Sequence, residues 1–276
     1  MSFVRQARRL IAAGAITLVM SLTMALAMTL ATTFAAFAQA PSSAPPASKA
    51  APAANAPAMP TADQLLDRYV KAIGGREAWK KLTSRISTGT IDVPAMSVTG
   101  TIEMREKAPN KLVATISING ATFSQGYDGT VGWANDPQNG LREQTSSELA
   151  ETKRDADFYH PLDLRQLYSN FKVTGIEKVN DRDAYVVEAS SVDGGTDKMF
   201  FDVQTGLVLR ITGQHHMPEG VTAFTEDLED YREVDGIKLP FTVHQASADS
   251  TFSIQFTEVK HNVPIEDSDF SKPAVP

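Results

Sequence analysis

Hydrophobic residues recur at two different spacings along the chain. After residue 60, apolar side chains first recur at the three-to-four-residue spacing of a helix, at Leu65, Leu66, Tyr69, Val70 and Ile73. Thr61, with Gln64 three residues later, fits a capping box at the start of this helix. Gly74-Gly75 fits its end, because glycine readily ends a helix. The pattern therefore predicts an amphipathic N-terminal helix.

From Ser84 the period becomes two. Ile102 and Met104 alternate with polar neighbours, and after a turn at 108–110 Leu112, Ala114, Ile116 and Ile118 do the same. Such alternation predicts antiparallel strands with one buried face. Turn signals such as Asn119-Gly120 separate further alternating segments as far as residue 260. We expect about eleven strands joined by short connections.

A helical insert interrupts the strands at about 145–171. Thr145 and Glu148 fit a second capping box, and Pro161 is well placed to begin another helix. That helix would carry Leu164, Leu167, Tyr168 and Phe171. The predicted fold class is α+β and mainly β: an antiparallel curled sheet, or unclosed β-barrel, with an N-terminal helix and a helical lid insert.

A sheet of this size predicts a cavity. About eight strands make a barrel that its own side chains fill, so about eleven enclose more space. The apolar concave face would be covered by the helices together with a hydrophobic ligand; alternatively, the helices fill the concavity completely. The strand side chains expected to face inward are Ile102, Met104, Leu112, Ile116, Phe201, Leu209, Phe241, Phe252 and Phe256.

Four further aromatic residues are candidates for lining this cavity. Trp133 follows the Asp128-Gly129 turn and either lines the cavity mouth or packs in the core. Phe158, Tyr168 and Phe171 belong to the predicted insert and serve either as core residues or as ligand contacts. Together with the nine strand residues, they form the predicted ligand-binding set.

The N-terminal residues predict export. Arg5, Arg8 and Arg9 precede a segment without charge from Leu10 to Phe37, and Ala38-Gln39-Ala40 fits a cleavage site. We expect a signal peptide over residues 1–40, cut after Ala40, and a periplasmic protein; an uncleaved inner-membrane anchor is the alternative. Residues 41–60 contain six prolines and eight alanines and predict an unfolded linker. The folded domain would span 61–276.

Composition excludes several classes of function. The 276 residues include no cysteine, which excludes disulfides, thiolate metal sites and a lipidated N-terminal cysteine. The net charge is −7, and loss of the three signal-peptide arginines leaves 23 basic against 33 acidic residues. No sustained basic stripe remains, so we expect no nucleic-acid partner.

Candidate catalytic and metal-binding residues are weak. His215 and His216 are adjacent on a predicted strand and would point to opposite faces, which does not suit one metal ion. The acidic residues at 226, 227, 229 and 230 fit a solvated strand face. No nucleophile motif or phosphate loop accompanies the other histidines. We expect no catalytic residue, no metal and no cofactor.

Four segments resemble one family. The segments 62–75, 127–133, 201–207 and 230–240 are similar to those of the LolA/LolB-like superfamily, and more closely to its outer membrane lipoprotein-sorting protein relatives. The resemblance spans nearly all of 61–276. It implies an unclosed β-barrel with a helical lid and an apolar cavity for acyl chains. Without a lipidated cysteine, the chain departs from the outer-membrane receptors of this superfamily.

Three functions are consistent with these features. The first is a non-catalytic carrier or sensor of a hydrophobic small molecule or a lipoprotein acyl chain. The second is an envelope interaction module that binds a protein partner through its concave face or sheet edges. The third is an enzyme such as a hydrolase, for which a pair of titratable groups with perturbed pKa values in the cavity would be the first sign.

Overall fold

The computed structural model describes residues 59–191, 195–217, 220–247 and 250–274. The predicted signal peptide at 1–40 and nearly all of the predicted linker at 41–60 lie outside these residues. Within the described ranges, no helix is long and apolar enough to cross a membrane.

Helices are few and short. They are α1 (Ala62–Ala72), α2 (Arg76–Trp79), α3 (Ser146–Asp155) and α4 (Leu164–Leu167). Single 3-10 turns occur at Pro94–Met96, His160–Leu162 and Asp267–Phe270.

Thirteen strands make up one antiparallel sheet. They are β1 (Ser84–Val93), β2 (Val98–Lys107), β3 (Lys111–Ile118), β4 (Ala121–Tyr127), β5 (Gly132–Asp136), β6 (Gly140–Glu143), β7 (Tyr168–Val179), β8 (Arg182–Ser191), β9 (Thr196–Asp202), β10 (Val208–Met217), β11 (Gly220–Val234), β12 (Ile237–Ser247) and β13 (Thr251–His261).

The strand order explains the unclosed barrel. It runs β6-β5-β4-β3-β2-β1-β13-β12-β11-β10-β9-β8-β7, so two meanders meet where β1 pairs with β13. Strands β6 and β7 are consecutive in the sequence but lie at opposite edges of the sheet. In the structure the insert comprises residues 145–167, because Tyr168 already belongs to β7, and it connects these two edges. The predicted fold class is confirmed, with thirteen strands instead of about eleven. One of the additional strands is β6, whose four residues lack an apolar alternation.

Helix α1 forms as predicted. The Thr61 hydroxyl accepts a hydrogen bond from the Gln64 amide at 3.2 Å, and the Gln64 side chain accepts one from the Thr61 amide at 2.9 Å. The buried residues Leu65, Leu66 and Tyr69 face the sheet, where the Tyr69 ring meets Phe201 edge to face at 5.9 Å. The helix therefore covers part of the inner face of the sheet.

The insert differs from its prediction in two respects. Thr145 makes no side-chain cap, and the Glu148 side chain binds the Arg142 guanidinium at 2.6 and 2.7 Å, so the predicted capping box does not form. The predicted helix over Tyr168 and Phe171 is also wrong, since α4 ends at Leu167 and Tyr168 begins β7. Between these two aromatic residues, Asn170 has a φ of 54° that no helix accommodates.

Most of the core lies between the inner face of the sheet and the helices. A smaller cluster lies on the other face of strands β7–β10 and contains Val179, Ala184, Val186, Phe200 and Leu209. Leu209 joins it because the ladder between β9 and β10 shifts register between Val208 and Arg210. This bulge breaks the strict alternation on which the inward assignment of Leu209 rested.

We predict that Gly74→Ala destabilises the fold much more than Gly75→Ala. Both glycines have positive φ, but a Cβ at Gly74 would lie 2.3 Å from the Gly236 carbonyl oxygen, whereas none of the described atoms lies within 4 Å of one at Gly75. Gly75 has a φ of 79° and a ψ of 160°, a conformation that essentially only glycine adopts, so Gly75→Ala should lower the free energy of unfolding by about 1–3 kcal/mol. Gly74→Ala should lower it by at least about 2 kcal/mol more, because the clash with Gly236 adds to the backbone strain. Urea denaturation followed by tryptophan fluorescence measures both, and equal losses would contradict the prediction.

Candidate functional site

A cavity of about 160 Å³ lies between the inner face of the sheet and the helices. Its walls come from α1, α2, the insert, β1, β2 and β7–β13. Gln214 and Lys238 are among its lining residues and are exposed, so the cavity reaches the surface. Its volume is close to that of engineered apolar cavities of about 150 Å³, which hold a molecule such as benzene.

Most of the cavity wall is apolar. Strands β9–β13 supply much of this surface, and the insert supplies Pro161, Leu164 and Leu167 above it. The apolar lining residues of β9–β13 are Met199, Val208, Ile211, Phe224, Leu228, Leu239, Pro240, Val243, Phe256 and Val259. Such a wall favours the burial of hydrocarbon over that of a polar solute.

One end of the cavity carries a buried ion pair. Arg85 on β1 and Glu106 on β2 are 5% and 4% exposed, and they form two parallel hydrogen bonds of 2.6 and 2.5 Å. These residues are direct partners in the β1–β2 ladder. The bidentate geometry compensates each charge for its lost hydration.

The insert covers this ion pair. The Phe158 ring lies 5.5 Å from the Arg85 guanidinium carbon, and the Phe158 amide donates to the Pro109 carbonyl at 3.0 Å. His160 lines the cavity beside the pair, with its Nδ1 2.9 Å from the Asp157 carbonyl oxygen. Burial lowers the pKa of His160, so its imidazole is neutral at pH 7.

A second polar wall is built around Glu226 on β11. This side chain is 1% exposed, lines the cavity, and has an Oε1 atom without a hydrogen-bond partner among the described residues. Burial, together with the charges of Asp155 and Asp227, raises the pKa of Glu226 from 4.5 to about 8. Glu226 is therefore mainly a neutral carboxylic acid at pH 7.

Tyr168 and Asp197 belong to the same polar wall. The hydroxyl of Tyr168 hydrogen-bonds the Asp197 carboxylate, and burial followed by the charge of Asp197 raises the pKa of Tyr168. Both residues line the cavity, as does Arg154 at the end of α3. The second wall thus combines carboxyl groups from α3, β9 and β11 with one guanidinium.

Ion pairs at the surface hold the insert against the N-terminal helices. Arg165 lies 3.0 Å from both Asp63 and Asp67 of α1, and Arg76 of α2 lies 2.8 Å from Asp163. Arg76 also donates to the Leu162 carbonyl at 2.7 Å. Except for the Asp163 carboxylate, these charged side chains are 40–80% exposed, so each pair contributes little to stability.

The predicted ligand-binding residues occupy several environments. Met104, Tyr168 and Phe256 line the cavity, and Phe171 packs against the core with its ring 6.4 Å from that of Tyr168. Trp133 is buried and its indole NH donates to the Phe270 carbonyl at 2.8 Å. The residues buried in the main core are Ile102, Leu112, Ile116, Phe158, Phe201 and Phe252.

The last two predicted residues lie in other surroundings. Leu209 belongs to the smaller cluster on the other face of the sheet. Phe241 is 4% exposed and has the Arg232 guanidinium 4.4 Å above its ring. The structure thus brings together only part of the predicted set at the cavity.

The charged residues of the cavity were not predicted from the sequence. Glu106 continues the alternation of Ile102 and Met104 and therefore points inward with them. Glu226 lies between Phe224 and Leu228 on the same face of β11, so the solvated-face interpretation of the acidic run is wrong for this residue. In both strands, the alternation of apolar residues indicates that the charged residue lies on the inner face. Among the described residues, no three His, Asp or Glu side chains are grouped to hold a metal ion.

We predict that Arg85→Met destabilises the fold strongly, because it leaves the Glu106 carboxylate buried without its partner. The free energy of unfolding should fall by about 3 kcal/mol or more. The double variant Arg85→Met/Glu106→Leu should regain much of this loss. Lys80→Met, which removes the exposed ion pair with Glu77, is the control and should have little effect. Chemical denaturation measures all three, and a single variant as stable as the control would contradict this account.

We predict that Glu226 makes the protein less stable as pH rises. Because the folded-state pKa is raised, the stability from the neutral carboxyl is fully present below about 4.5 and is lost as pH rises through about 8. Relative to Glu226→Gln, the wild-type free energy of unfolding should fall between pH 5 and pH 8 by up to about 1.4 kcal/mol per pH unit.

Urea denaturation from pH 5 to pH 8.5 tests the prediction for Glu226. Glu229→Gln is the matched control, since this carboxylate is on the same strand but 44% exposed. A wild-type slope equal to that of Glu226→Gln would refute the assignment of a buried neutral carboxyl.

Solved structures share this architecture. No protein-family model and no curated protein matches the chain. A DUF1329 family protein from Desulfovibrio piger matches with a TM-score of 0.52 and 14% identity, over 76% of this chain and 96% of that one. An outer membrane lipoprotein-sorting protein domain from Vibrio parahaemolyticus gives 0.51 and 13%, over 76% and 95%.

A third solved structure supports the same conclusion. A LolA superfamily protein from Nitrosomonas europaea matches with a TM-score of 0.53 and 13% identity, over 78% of this chain and 99% of that one. All three matches extend over nearly the whole length of the neighbouring protein. The fold of this chain is therefore LolA-like.

Proposed function

We propose that this protein binds a lipid or a lipoprotein acyl chain in its cavity and carries or senses it in the periplasm without catalysis. The single observation that carries this proposal is a mostly apolar cavity that reaches the surface between the sheet and the helices. The outer membrane lipoprotein-sorting protein domain among the structural neighbours supports an envelope role. The predicted signal peptide supports export.

The size of the cavity suits a segment of hydrocarbon. Its volume of about 160 Å³ accommodates about six carbons, by comparison with cavities that hold benzene. Burying each methylene contributes about 0.8 kcal/mol, so such a segment gains about 5 kcal/mol. A longer chain would extend past Gln214 or past Lys238, which lie beside positions ten residues apart on β11, or would require the insert to move outward.

The attachment of the insert suits ligand exchange. Arg165 and its two aspartate partners on α1 are largely exposed, so separating them costs little. The buried Arg85–Glu106 pair instead belongs to neighbouring strands of the sheet and stays fixed when the insert moves. The cover can therefore open on the side that faces α1, while Phe158 stays bound to the Pro109 carbonyl and the floor of the cavity keeps its shape.

The two cavity residues that would be the first candidates for catalysis have different charged neighbours. His160 and Glu226 both have perturbed pKa values, which is the sign expected of a hydrolase. However, the charges acting on His160 are those of Glu106, Arg85 and Asp157, and those acting on Glu226 are Asp155 and Asp227. Burial is the leading cause for both residues. We therefore favour a binding function.

A protein partner is the second candidate, and edge strand β7 favours it. This strand of 12 residues pairs only with β8 in the described sheet, and Ile176 on it is 50% exposed. An extended peptide could add to such an edge through main-chain hydrogen bonds. Binding of a protein with no lipid retained would support this alternative.

We predict that Ile211→Trp blocks ligand binding, because Ile211 lines the cavity and indole would fill it. Protein expressed from the complete sequence should release acyl-containing species on solvent extraction, detected by mass spectrometry. The Ile211→Trp variant should release at least about fivefold less, since the filled volume is no longer available for burial. Ile176→Trp, the same change at an exposed site, should retain the wild-type amount.

Two outcomes would contradict the proposed function. The first is wild-type protein that is consistently empty and also takes up no acyl chain when lipid is added. The second is an equal yield of lipid from Ile211→Trp and Ile176→Trp, which would place the lipid outside the cavity.

A further inference from the structure

We propose that the cavity selects amphiphiles whose polar end is a primary amine, bound by the unpartnered oxygen of Glu226. This inference rests on the proposed function and specifies the class of ligand. The acyl or alkyl tail would occupy the apolar wall, and the amine would reach the second polar wall.

Glu226 has the geometry of a ligand-binding group. It lies on the inner face of β11 between Phe224 and Leu228, is 1% exposed, and lines the cavity. Its Oε1 has no hydrogen-bond partner among the described residues. Gln245, directly across the ladder on β12, is also buried, and its Nε2 lacks a partner within the same part of the chain. Buried polar atoms are rarely left unsatisfied, so this wall favours a ligand that can hydrogen-bond there.

The charges around Glu226 favour a cation over an anion. The two groups that act on it most directly, Asp155 on α3 and Asp227 on its own strand, are both acidic. Arg210 of β10 pairs with Asp227.

Four other groups complete the surroundings of Glu226. Asp197 of β9 lines the cavity, and its carboxylate is bound to Tyr168 of β7. Arg154 of α3 lies close enough to Tyr168 to lower the pKa of that hydroxyl, which burial and Asp197 raise overall. Tyr231 donates to the Val208 carbonyl at 2.8 Å. The carboxylates of Asp155, Asp197 and Asp227 outnumber the guanidiniums of Arg154 and Arg210 around Glu226. This excess of negative charge disfavours a fatty-acid carboxylate or a phosphate there and favours an ammonium group.

Binding of an amine changes the protonation of this wall. Unliganded Glu226 has a pKa of about 8 and carries a proton at pH 7. When an alkylammonium ion binds, the carboxyl group loses its proton to solvent and the resulting carboxylate accepts a charge-assisted N–H···O bond. The ammonium ion keeps its own three protons. One amine bound should therefore release close to one proton at pH 7.

Three probes with the same tail test the selectivity. Octylamine, octanol and octanoate are titrated by calorimetry into delipidated protein expressed from the complete sequence, in buffers of different ionisation enthalpy. Octylamine should bind at least about tenfold more tightly than octanol. Its ammonium group forms a hydrogen bond with the charged Glu226 carboxylate, whereas the octanol hydroxyl forms one between neutral groups. Octanoate should bind more weakly than octanol, and only octylamine should release a proton.

The Glu226→Gln variant separates this inference from folding effects. It should lose at least about tenfold in octylamine affinity, together with the proton release, while octanol binds within about twofold of wild type. Glu229→Gln, on the same strand but half-exposed, should match wild type with all three probes.

The outcomes also distinguish this inference from the proposed function. If octanol and octanoate bind as tightly as octylamine, or if Glu226→Gln leaves octylamine binding unchanged, the selectivity for amines is wrong and hydrophobic binding stands. If none of the three probes binds to wild type, both the selectivity and the proposed function are wrong.

Discussion

The structure depends on covering one apolar surface. A single antiparallel sheet presents a hydrophobic inner face that cannot remain in water. To cover it, the described chain supplies the 11-residue helix α1, the 10-residue helix α3 and a few helical turns. Because the cover is small relative to thirteen strands, it leaves unfilled space beneath it. The cavity is thus a consequence of the ratio of sheet to helix, and its apolar character follows from strand alternation.

Polar groups on this surface make two parts of the cavity wall chemically different. Arg85 and Glu106 satisfy each other, so that end of the cavity offers no unmet hydrogen bond. Glu226 has no such partner for one of its oxygens within the described part of the chain. An unsatisfied buried carboxyl lowers stability, as binding-site residues commonly do. In the proposed complex, this difference between the two polar groups orients the amphiphile.

Much of the fold could be predicted from the sequence, and less of the site. Helix α1 was predictable because capping and apolar spacing agree there, and the strands because alternation is regular. Tyr168 and Phe171 were misplaced because their apolar spacing also fits a helix, and pairing with β8 decides the outcome. Leu209 depends on a bulge, which only the ladder defines. Glu226 was assigned to solvent because of its acidic neighbours, although Phe224 and Leu228 indicated its face.

The topology also determines what the molecule would tolerate. Since β6 and β7 lie at opposite edges, a cut within the connecting insert would divide the chain into two polypeptides, each containing an uninterrupted series of neighbouring strands. The β1–β13 ladder is the only strand pairing between these two pieces in the described sheet, and helix α1 from the first piece also packs on Phe201 of the second. Separately produced pieces could reassemble across that ladder, so this fold is suited to division into a complementing pair.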